Sequence, residues 1–251
     1  EPKEQRPGNS QAKGPLKNIS GKEHLLYRRC RLKLKLSGTM TEGRNKEYIL
    51  TAQLNKLFLN NFHKENNAKF FHFSNYSMPI NYELGVLKEH IHVRKSVGVF
   101  DVSHMGQILI SRNFKNISQL EKFIPIDLKS MKLGQSLYSF ILNKNGGVID
   151  DIIISKIKIR NEVKFFIVYN ADRKNIDEKI FKTYLTSFVI LKNNCLISLQ
   201  GPFSKNVLEK INISTDDILF MQIKTFDYND KILIISRTGY TGEDGFEISL
   251  P

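Results

Sequence analysis

The sequence predicts an α+β fold built from mixed and antiparallel sheets with packed helices. Apolar residues alternate over 137–142, and a short turn with two glycines follows. Residues 148–154 are a largely apolar, β-branched run, typical of a strand buried on both faces, so the two segments predict a β-hairpin. A second strand, turn and strand pattern spans 231–250. The strands are short and mixed with hairpins, which disfavours a doubly wound parallel sheet, whose strands alternate regularly with helices.

The composition indicates a globular protein whose basic character lies largely at one end. The chain has 251 residues, 41% of them hydrophobic, and a formal net charge of +13. Residues 1–50 hold 12 Lys or Arg against 5 acids, while the other 201 residues hold 26 against 20. This distribution weakens a nucleic-acid interpretation of the high charge. No apolar run approaches the roughly 20 residues that a membrane-spanning helix requires.

Residues 1–50 are predicted to be a basic, disordered extension, compatible with an organelle-targeting remnant. Within it, residues 28–36 alternate basic with apolar side chains, which favours an edge strand or a solvated tail over a membrane or nucleic-acid contact. Cys30 and Cys195 are far apart and form no CxxC motif. That pattern fits a reducing compartment and predicts neither a disulfide framework nor a zinc site.

From residue 51 onward the pattern predicts alternating helices and strands. Helices are expected over 54–62, 80–97, 118–123, 173–188 with Ala171 and Asp172 as its cap, and from the Gly-Pro break at 201–202 to about 211. Further strands are expected over 69–73, in two short pieces within 99–110, over 163–170 and over 195–200. His90 and His92 are two residues apart on a predicted helix and therefore face different directions, so no metal site is predicted there.

Asp101, Ser103 and His104 are the residue types of a nucleophilic triad, but the sequence does not favour that chemistry. A triad is defined by its geometry, and side chains this close along an extended segment cannot all converge. Asp101 and Ser103 are instead expected to bond to the backbone at a turn.

Asp150 and Asp151 stand inside an otherwise apolar, β-branched strand. Side chains alternate along a strand, so the two carboxylates are expected on opposite faces. A carboxylate on a core-facing position costs several kcal/mol unless it is paired or hydrogen-bonded. Two interpretations stay open: both acids lie at the mouth of the strand and bond the turn amides, or at least one is a functional acid.

Glu247 follows a glycine-rich loop, 238–245, that is not a phosphate loop, because no Lys-Ser or Lys-Thr pair and no helix follows it. Phe246, Ile248 and Leu250 share one face of the strand, which leaves Glu247 on the other face with Ser249. A carboxylate held there could accept a forked pair of N–H bonds from a guanidinium-like or aminopyrimidinone edge. The alternative is a solvent-facing side chain in an ordinary hairpin.

Five motifs in order resemble the aminomethyltransferase, or T-protein, family of the glycine cleavage system. They are VFDVSHM at 99–105, GGVIDD at 146–151, VYNA at 168–171, LQGP at 199–202 and RTGYTGEDGFE at 237–247. The resemblance covers residues 51–251. It implies the aminomethyltransferase folate-binding fold for this region, which could comprise two interleaved subdomains, with the family's C-terminal β-barrel domain absent from this chain.

The resemblance also implies an activity: transfer of a methylene carbon from the aminomethyl-dihydrolipoyl arm of H-protein to tetrahydrofolate, with release of ammonia. Asp151 matches the family's catalytic acid beside the attacking folate nitrogen, and Glu247 matches the carboxylate that binds the pterin's amino-pyrimidinone edge. The positions that would pack against or hydrogen-bond the pterin and its linker are Tyr138, Val168, Asn170, Tyr240 and Met105. Asp101 and Asp150 would support the site from behind.

The partners implied by the resemblance are lipoylated H-protein, other components of the glycine cleavage system, and tetrahydrofolate as acceptor. No metal, no nucleic acid and no membrane span are expected, and the family's eukaryotic members place the protein in the mitochondrial matrix. Two alternatives stay open. One is a non-catalytic folate-binding module with a regulatory or repair role in the same superfamily, and the other is a basic nucleic-acid-binding protein.

Overall fold

The computed structural model describes residues 54–251, which form thirteen strands and five helices. The strands are β1 (Asn55–Lys56), β2 (Lys69–Phe73), β3 (Tyr76–Asn81), β4 (Gly98–Asp101), β5 (Gly106–Ser111), β6 (Ser136–Leu142), β7 (Val148–Ile159), β8 (Glu162–Tyr169), β9 (Phe188–Ile190), β10 (Cys195–Gln200), β11 (Ile223–Tyr228), β12 (Lys231–Ser236) and β13 (Gly245–Leu250). The helices are α1 (Asn60–Glu65), α2 (Gly85–Lys95), α3 (Phe114–Leu120), α4 (Lys174–Tyr184) and α5 (Ser204–Lys210). The interpretation of residues 28–36 lies outside this range.

The strands form three sheets, and this arrangement confirms the predicted α+β class with mixed and antiparallel sheets. A three-stranded sheet has the order β1-β3-β2. We call the five-stranded sheet β11-β12-β13-β10-β4 sheet I, and the five-stranded sheet β6-β7-β8-β5-β9 sheet II. Every strand pair is antiparallel except β1 with β3. None of the helices within residues 54–251 is long and apolar enough to cross a bilayer.

Each large sheet has one face against helices and the other face toward the second sheet. Sheet II packs Ile152, Ile154 and Phe165 into a core that also contains residues of α3 and α4. Sheet I packs Phe246 and its neighbours against α5. Between the two sheets lies a smaller cluster of buried residues, which we call the shared core: Ile157 and Phe166 from sheet II, and Ile223 and Ile234 from sheet I. Side chains on the inward faces of both sheets therefore border one region.

The predicted helix over 54–62 is wrong in its first half. Asn55 and Lys56 instead pair in parallel with Tyr76 and Ser77, and the helix begins only at Asn60. The predicted helix over 80–97 likewise begins late, because residue 80 belongs to β3. In both places the apolar spacing fitted a helix, but pairing with another strand decided the conformation.

Two further helices have other bounds than predicted. The helix expected over 118–123 is α3, which begins one residue after Asn113, whose side chain accepts the backbone N–H of Asn116 at 2.8 Å. The helix expected over 173–188 ends at Tyr184, because Phe188 joins β9 and pairs with Ile110. Its predicted cap is also wrong, since the residue at the cap position is Arg173 and it makes no side-chain cap bond.

Ile234 gives a test of the shared core. We expect Ile234→Val to lower the free energy of unfolding by about 1 kcal/mol, because it removes a buried methylene between the two sheets. The matched control is Ile176→Val on α4, where the side chain is 43% exposed and the same deletion should change stability by less than about 0.5 kcal/mol. Equal effects in chemical denaturation would contradict a shared core at this position.

Candidate active site

Asp150 and Asp151 lie on opposite faces of β7, as predicted. Asp150 is 6% exposed and lies on the same face of β7 as Ile152 and Ile154. These two side chains belong to the core between sheet II and the helices. Asp151 is exposed and shares the other face with Ile157 of the shared core. The turn amides of Asn145 and Gly147 are bonded by the side chain of Asn143 instead, so the strand-mouth interpretation is wrong.

Asn170, directly after β8, connects the two carboxylates. Its side-chain Nδ2 donates to Asp151 Oδ1 at 3.0 Å and to Asp150 Oδ1 at 3.0 Å, and its backbone N–H donates to Asp150 Oδ2 at 3.0 Å. Tyr138 donates its hydroxyl to Asp151 Oδ2 at 3.2 Å from the neighbouring strand β6. Partial burial and the Asp151 charge raise the pKa of the Tyr138 hydroxyl, which keeps it a donor. Asp151 is thus an exposed carboxylate oriented from both sides.

Met105 joins this group through a cavity of about 300 Å³ that is also lined by Asp150 and Asn170. His104 lines the same cavity and is buried, and its Nδ1 has no hydrogen-bond partner among residues 54–251. Burial, followed by the nearby charge of Lys174, lowers the pKa of His104, so its imidazole is neutral at pH 7. Val168 lies apart from the cavity, half-buried against the shared core.

Glu247 lies on the inward face of sheet I. It is paired in register with Ser236 of β12 and Ser198 of β10, on the same face as Ile234 of the shared core. Thr238 donates its hydroxyl to Glu247 Oε2 at 2.7 Å. Burial raises the pKa of Glu247, and the Thr238 bond opposes that shift. Glu247 Oε1 accepts no hydrogen bond from the described part of the chain, so one oxygen is available to a ligand.

Tyr240 is held beside Glu247 by two buried polar residues that the sequence interpretation missed. Its hydroxyl donates to Ser198 Oγ at 2.6 Å, and its backbone N–H donates to Gln200 Oε1 at 3.1 Å. Both Ser198 and Gln200 are 0% exposed, although they alternate with apolar residues along β10. The sequence did carry a signal for them: Ser198 and Gln200 are two polar residues at strand spacing, one directly before the LQGP motif and one in it.

An ion pair closes the glycine-rich loop that carries Tyr240. Arg237 donates Nε to Asp244 Oδ1 at 2.9 Å and Nη2 to Asp244 Oδ2 at 2.7 Å, a forked pair, and Nη1 to the Ile218 carbonyl at 2.8 Å. A Cβ at Gly245 would lie 2.2 Å from Gln200 Oε1, so a side chain there would displace the Gln200 amide that binds Tyr240. The loop conformation is therefore fixed at both ends, which positions Tyr240 and Glu247.

Asp101 lies elsewhere, so its expected support of Asp151 is not seen. It is 7% exposed and pairs with His63 Nε2 at 3.1 Å, while His63 Nδ1 and the Tyr82 hydroxyl are 2.7 Å apart. These residues line a separate cavity of about 660 Å³. The backbone role expected for Asp101 and Ser103 is confirmed, since Asp101 accepts the N–H of Ser103 at 3.0 Å and Ser103 Oγ accepts the N–H of Leu196 at 3.0 Å.

The structure therefore brings five of the seven predicted site residues into two polar groups on the facing sides of sheets I and II, and leaves Met105 and Val168 outside them. One group contains Tyr138, Asp151 and Asn170, and the other contains Tyr240 and Glu247. No hydrogen bond joins the two groups within residues 54–251. Across this region, one carboxylate can accept donors from the edge of a flat heterocycle and the other can orient an amine. No group of three or more His, Cys, Asp or Glu in the described range is placed to hold a metal.

The sequence is similar to that of known proteins over most of its length. The model of the GCVT N-terminal domain family matches residues 59–251. The mitochondrial aminomethyltransferase of Dictyostelium discoideum is 39% identical over 222 residues, which is 82% of this chain and 54% of that protein. An aminomethyltransferase of Leptospira biflexa is 34% identical over 202 residues, 78% of this chain and 54% of that protein.

A solved structure has the same architecture. The crystal structure of glycine cleavage system aminomethyltransferase T from Bartonella henselae superposes with a TM-score of 0.71 at 39% identity, and covers 79% of this chain and 54% of that chain. The chain thus spans about half the length of the relatives it matches.

Proposed function

The chain belongs to the GCVT N-terminal domain family, the family of the glycine cleavage aminomethyltransferases, and from that premise we propose that it carries the folate-binding and catalytic residues of such an enzyme. The reaction would move a methylene carbon from aminomethyl-dihydrolipoyl H-protein to tetrahydrofolate. The observation that carries the proposal is the exposed Asp151 carboxylate, fixed by Tyr138 and Asn170 on the inward face of sheet II.

Asp151 would act where the new carbon–nitrogen bond forms. The aminomethyl group leaves the carrier sulfur as the dithiol is regenerated, ammonia departs, and the carbon becomes bonded to both reacting nitrogens of folate in 5,10-methylenetetrahydrofolate. The carbon passes through a cationic, iminium-like stage, which a nearby carboxylate stabilises. The same carboxylate can align the attacking amine and accept a proton from it. The Tyr138 and Asn170 bonds leave Asp151 exposed toward the region between the sheets, as both roles require.

Glu247 would bind the end of the pterin that lies away from the reacting amine. A carboxylate with one oxygen bonded to Thr238 and the other available suits the paired N–H donors of an amino-pyrimidinone edge. Tyr240, whose hydroxyl bonds to Ser198 beside Glu247, would supply a flat surface, and Val168 would supply an apolar one at the shared core. Met105 lines the cavity that Asn170 also lines. Together with Tyr138 and Asn170, these residues would fit a flat heterocycle with a polar edge.

The partners follow from the same proposal. Lipoylated H-protein would deliver the aminomethyl group, other components of the glycine cleavage system would act before and after it, and a basic surface would steer an acidic carrier during encounter. A mitochondrial matrix location is proposed on the likeness to the Dictyostelium discoideum protein. The alternation of sheets I and II along the chain supports the proposed interleaving of two subdomains within residues 51–251. Residues 1–50 are proposed as a separate extension.

The test mixes this chain with tetrahydrofolate and aminomethylated H-protein and measures 5,10-methylenetetrahydrofolate. We expect formation above the rate without protein, and no formation when tetrahydrofolate is omitted. A folded chain that binds tetrahydrofolate without forming product would leave the non-catalytic folate module. A chain that binds random DNA in a salt-sensitive way after removal of residues 1–50, and does not bind tetrahydrofolate, would favour the nucleic-acid alternative, which the comparisons do not favour.

A further inference from the structure

Asp177 is a buried acid outside the two polar groups of the candidate site. It lies in the first turn of α4 and is 0% exposed. Neither of its carboxylate oxygens has a hydrogen-bond donor among residues 54–251. A buried carboxylate without donors is strongly unfavourable in its charged form, so it must be neutralised by a proton.

The group within hydrogen-bonding reach of Asp177 is another carboxylate, that of Asp150. Two carboxylates can bond to each other only when one of them carries a proton. Burial, and then the bond and the charge of Asp150, raise the pKa of Asp177 from 3.8 to about 8, while Arg173 opposes the shift. At neutral pH the proton therefore belongs to Asp177, which donates to Asp150.

The pair is connected to the proposed catalytic group. Asp150 accepts both the backbone N–H and the side-chain N–H of Asn170, and the same Asn170 amide donates to Asp151. A chain of hydrogen bonds thus runs from the buried start of α4, through β7, to the exposed carboxylate. Loss of the Asp177 proton would place two like charges together in a buried site, and the repulsion would displace Asp150 and its bonds to Asn170.

We propose that Asp177, protonated and donating to Asp150, is a positioning residue that holds Asn170 and, through it, the Asp151 carboxylate in its working orientation. The role of Asp177 in positioning Asp151 for catalysis rests on the proposed function, whereas the proton shared between Asp177 and Asp150 does not. The ionisable groups around Asp177 are Asp150 from β7, Arg173 next to the start of α4, and Tyr169 from β8. The Tyr169 hydroxyl donates to Glu178 Oε1 at 3.4 Å, and burial first and the acidic neighbours second raise its pKa, so it stays neutral.

Stability against pH tests the shared proton without any enzyme assay. The folded-state pKa of about 8 lies above the unfolded value of 3.8, so across this window the folded protein holds a proton that the unfolded chain releases. The Asp177 contribution is therefore fully present at low pH and lost as pH rises, by about tenfold in the unfolding equilibrium constant per pH unit. Asp177→Asn keeps a donor toward Asp150 and removes the titration. As pH rises through this window, its unfolding equilibrium constant should therefore fall relative to that of the parent, by about tenfold per pH unit. Asp227→Asn, on an exposed residue, should keep the parent's slope.

Carboxyl NMR tests the positioning. With Asp labelled at its carboxyl carbon, we expect one carboxyl in the parent to titrate near pH 8, and the Asp151 signal, assigned from its loss in Asp151→Asn, to shift in the same range. Both changes should vanish in Asp177→Asn. Asp150→Asn gives a second variant, in which an amide donor replaces the like charge and the titration near pH 8 should move to lower pH.

Each outcome decides a part of the proposal. The shared proton would be overturned if the unfolding free energies of the parent and Asp177→Asn changed in parallel with pH. It would also be overturned if a carboxyl still titrated near pH 8 in Asp150→Asn. An Asp151 signal that stays constant while Asp177 titrates would overturn the positioning role. If the chain formed no methylene product but showed both titrations, the proposed function would fail while the shared proton stood. In a working enzyme, the rate should fall above pH 8 in the parent and stay level in Asp177→Asn.

Discussion

Asp151→Asn is expected to slow formation of 5,10-methylenetetrahydrofolate by about a hundredfold or more, while tetrahydrofolate binding changes by less than about threefold. The amide has nearly the same shape and still accepts a bond from Tyr138 or Asn170, so the structure around it should be kept. It lacks the negative charge that would stabilise a cationic carbon and the basicity that would accept a proton from the attacking amine. Single-turnover rates with aminomethylated H-protein, beside calorimetric binding, measure the two effects separately.

Tyr138→Phe provides a graded comparison for the same assay. It removes one bond to Asp151 without removing the charge, so the rate should fall by only about three- to tenfold, which is the value of a single hydrogen bond. If Asp151→Asn lost no more activity than Tyr138→Phe, Asp151 would be an orienting residue at most, and the proposed catalytic role would be wrong.

Glu247→Gln should weaken tetrahydrofolate binding by about a hundredfold, because each hydrogen bond to a charged acceptor contributes about 1.5–3 kcal/mol and the new amide presents a donor where the pterin also donates. The rate at saturating tetrahydrofolate should change far less than the affinity. Burial raises the pKa of Glu247, so the parent's affinity should fall as pH drops through that pKa and the carboxylate is protonated. In Glu247→Gln the affinity should be flat over the same range.

Glu243→Gln is the matched control for Glu247→Gln. Glu243 lies in the same glycine-rich loop and pairs with Arg94 at 3.1 Å, where both side chains are partly exposed. Its substitution should change tetrahydrofolate affinity by less than about threefold, since exposed ion pairs contribute little. Equal losses in the two variants would mean that the loop as a whole, and not the Glu247 carboxylate, determines binding.

Local pattern predicted the parts of the site that depend on neighbours in sequence. The opposite placement of Asp150 and Asp151 follows from the two-residue period of a strand, and the inward side of Glu247 follows from the apolar partners Phe246 and Ile248. Strand β11 was missed although it carried a signal: Asn229 and Asp230 form a two-residue turn with positive φ between two alternating runs.

Contacts between distant segments could not be predicted in the same way. Asp177 looks like an ordinary polar residue of a helix, and only the packing of α4 on sheet II buries it beside Asp150. The pairing of Asp101 with His63 likewise joins residues 38 positions apart. Sequence periodicity describes which face a residue takes, whereas the partner on that face is decided by tertiary packing.

The most direct test of the proposed folate site is a crystal structure of this chain with tetrahydrofolate bound. We expect one ligand molecule between sheets I and II, with its amino-pyrimidinone edge within about 3 Å of Glu247 and its reactive amine within hydrogen-bonding reach of Asp151. A pterin bound in the cavity lined by His63 and Asp101, or bound with neither carboxylate in contact, would contradict the proposed site.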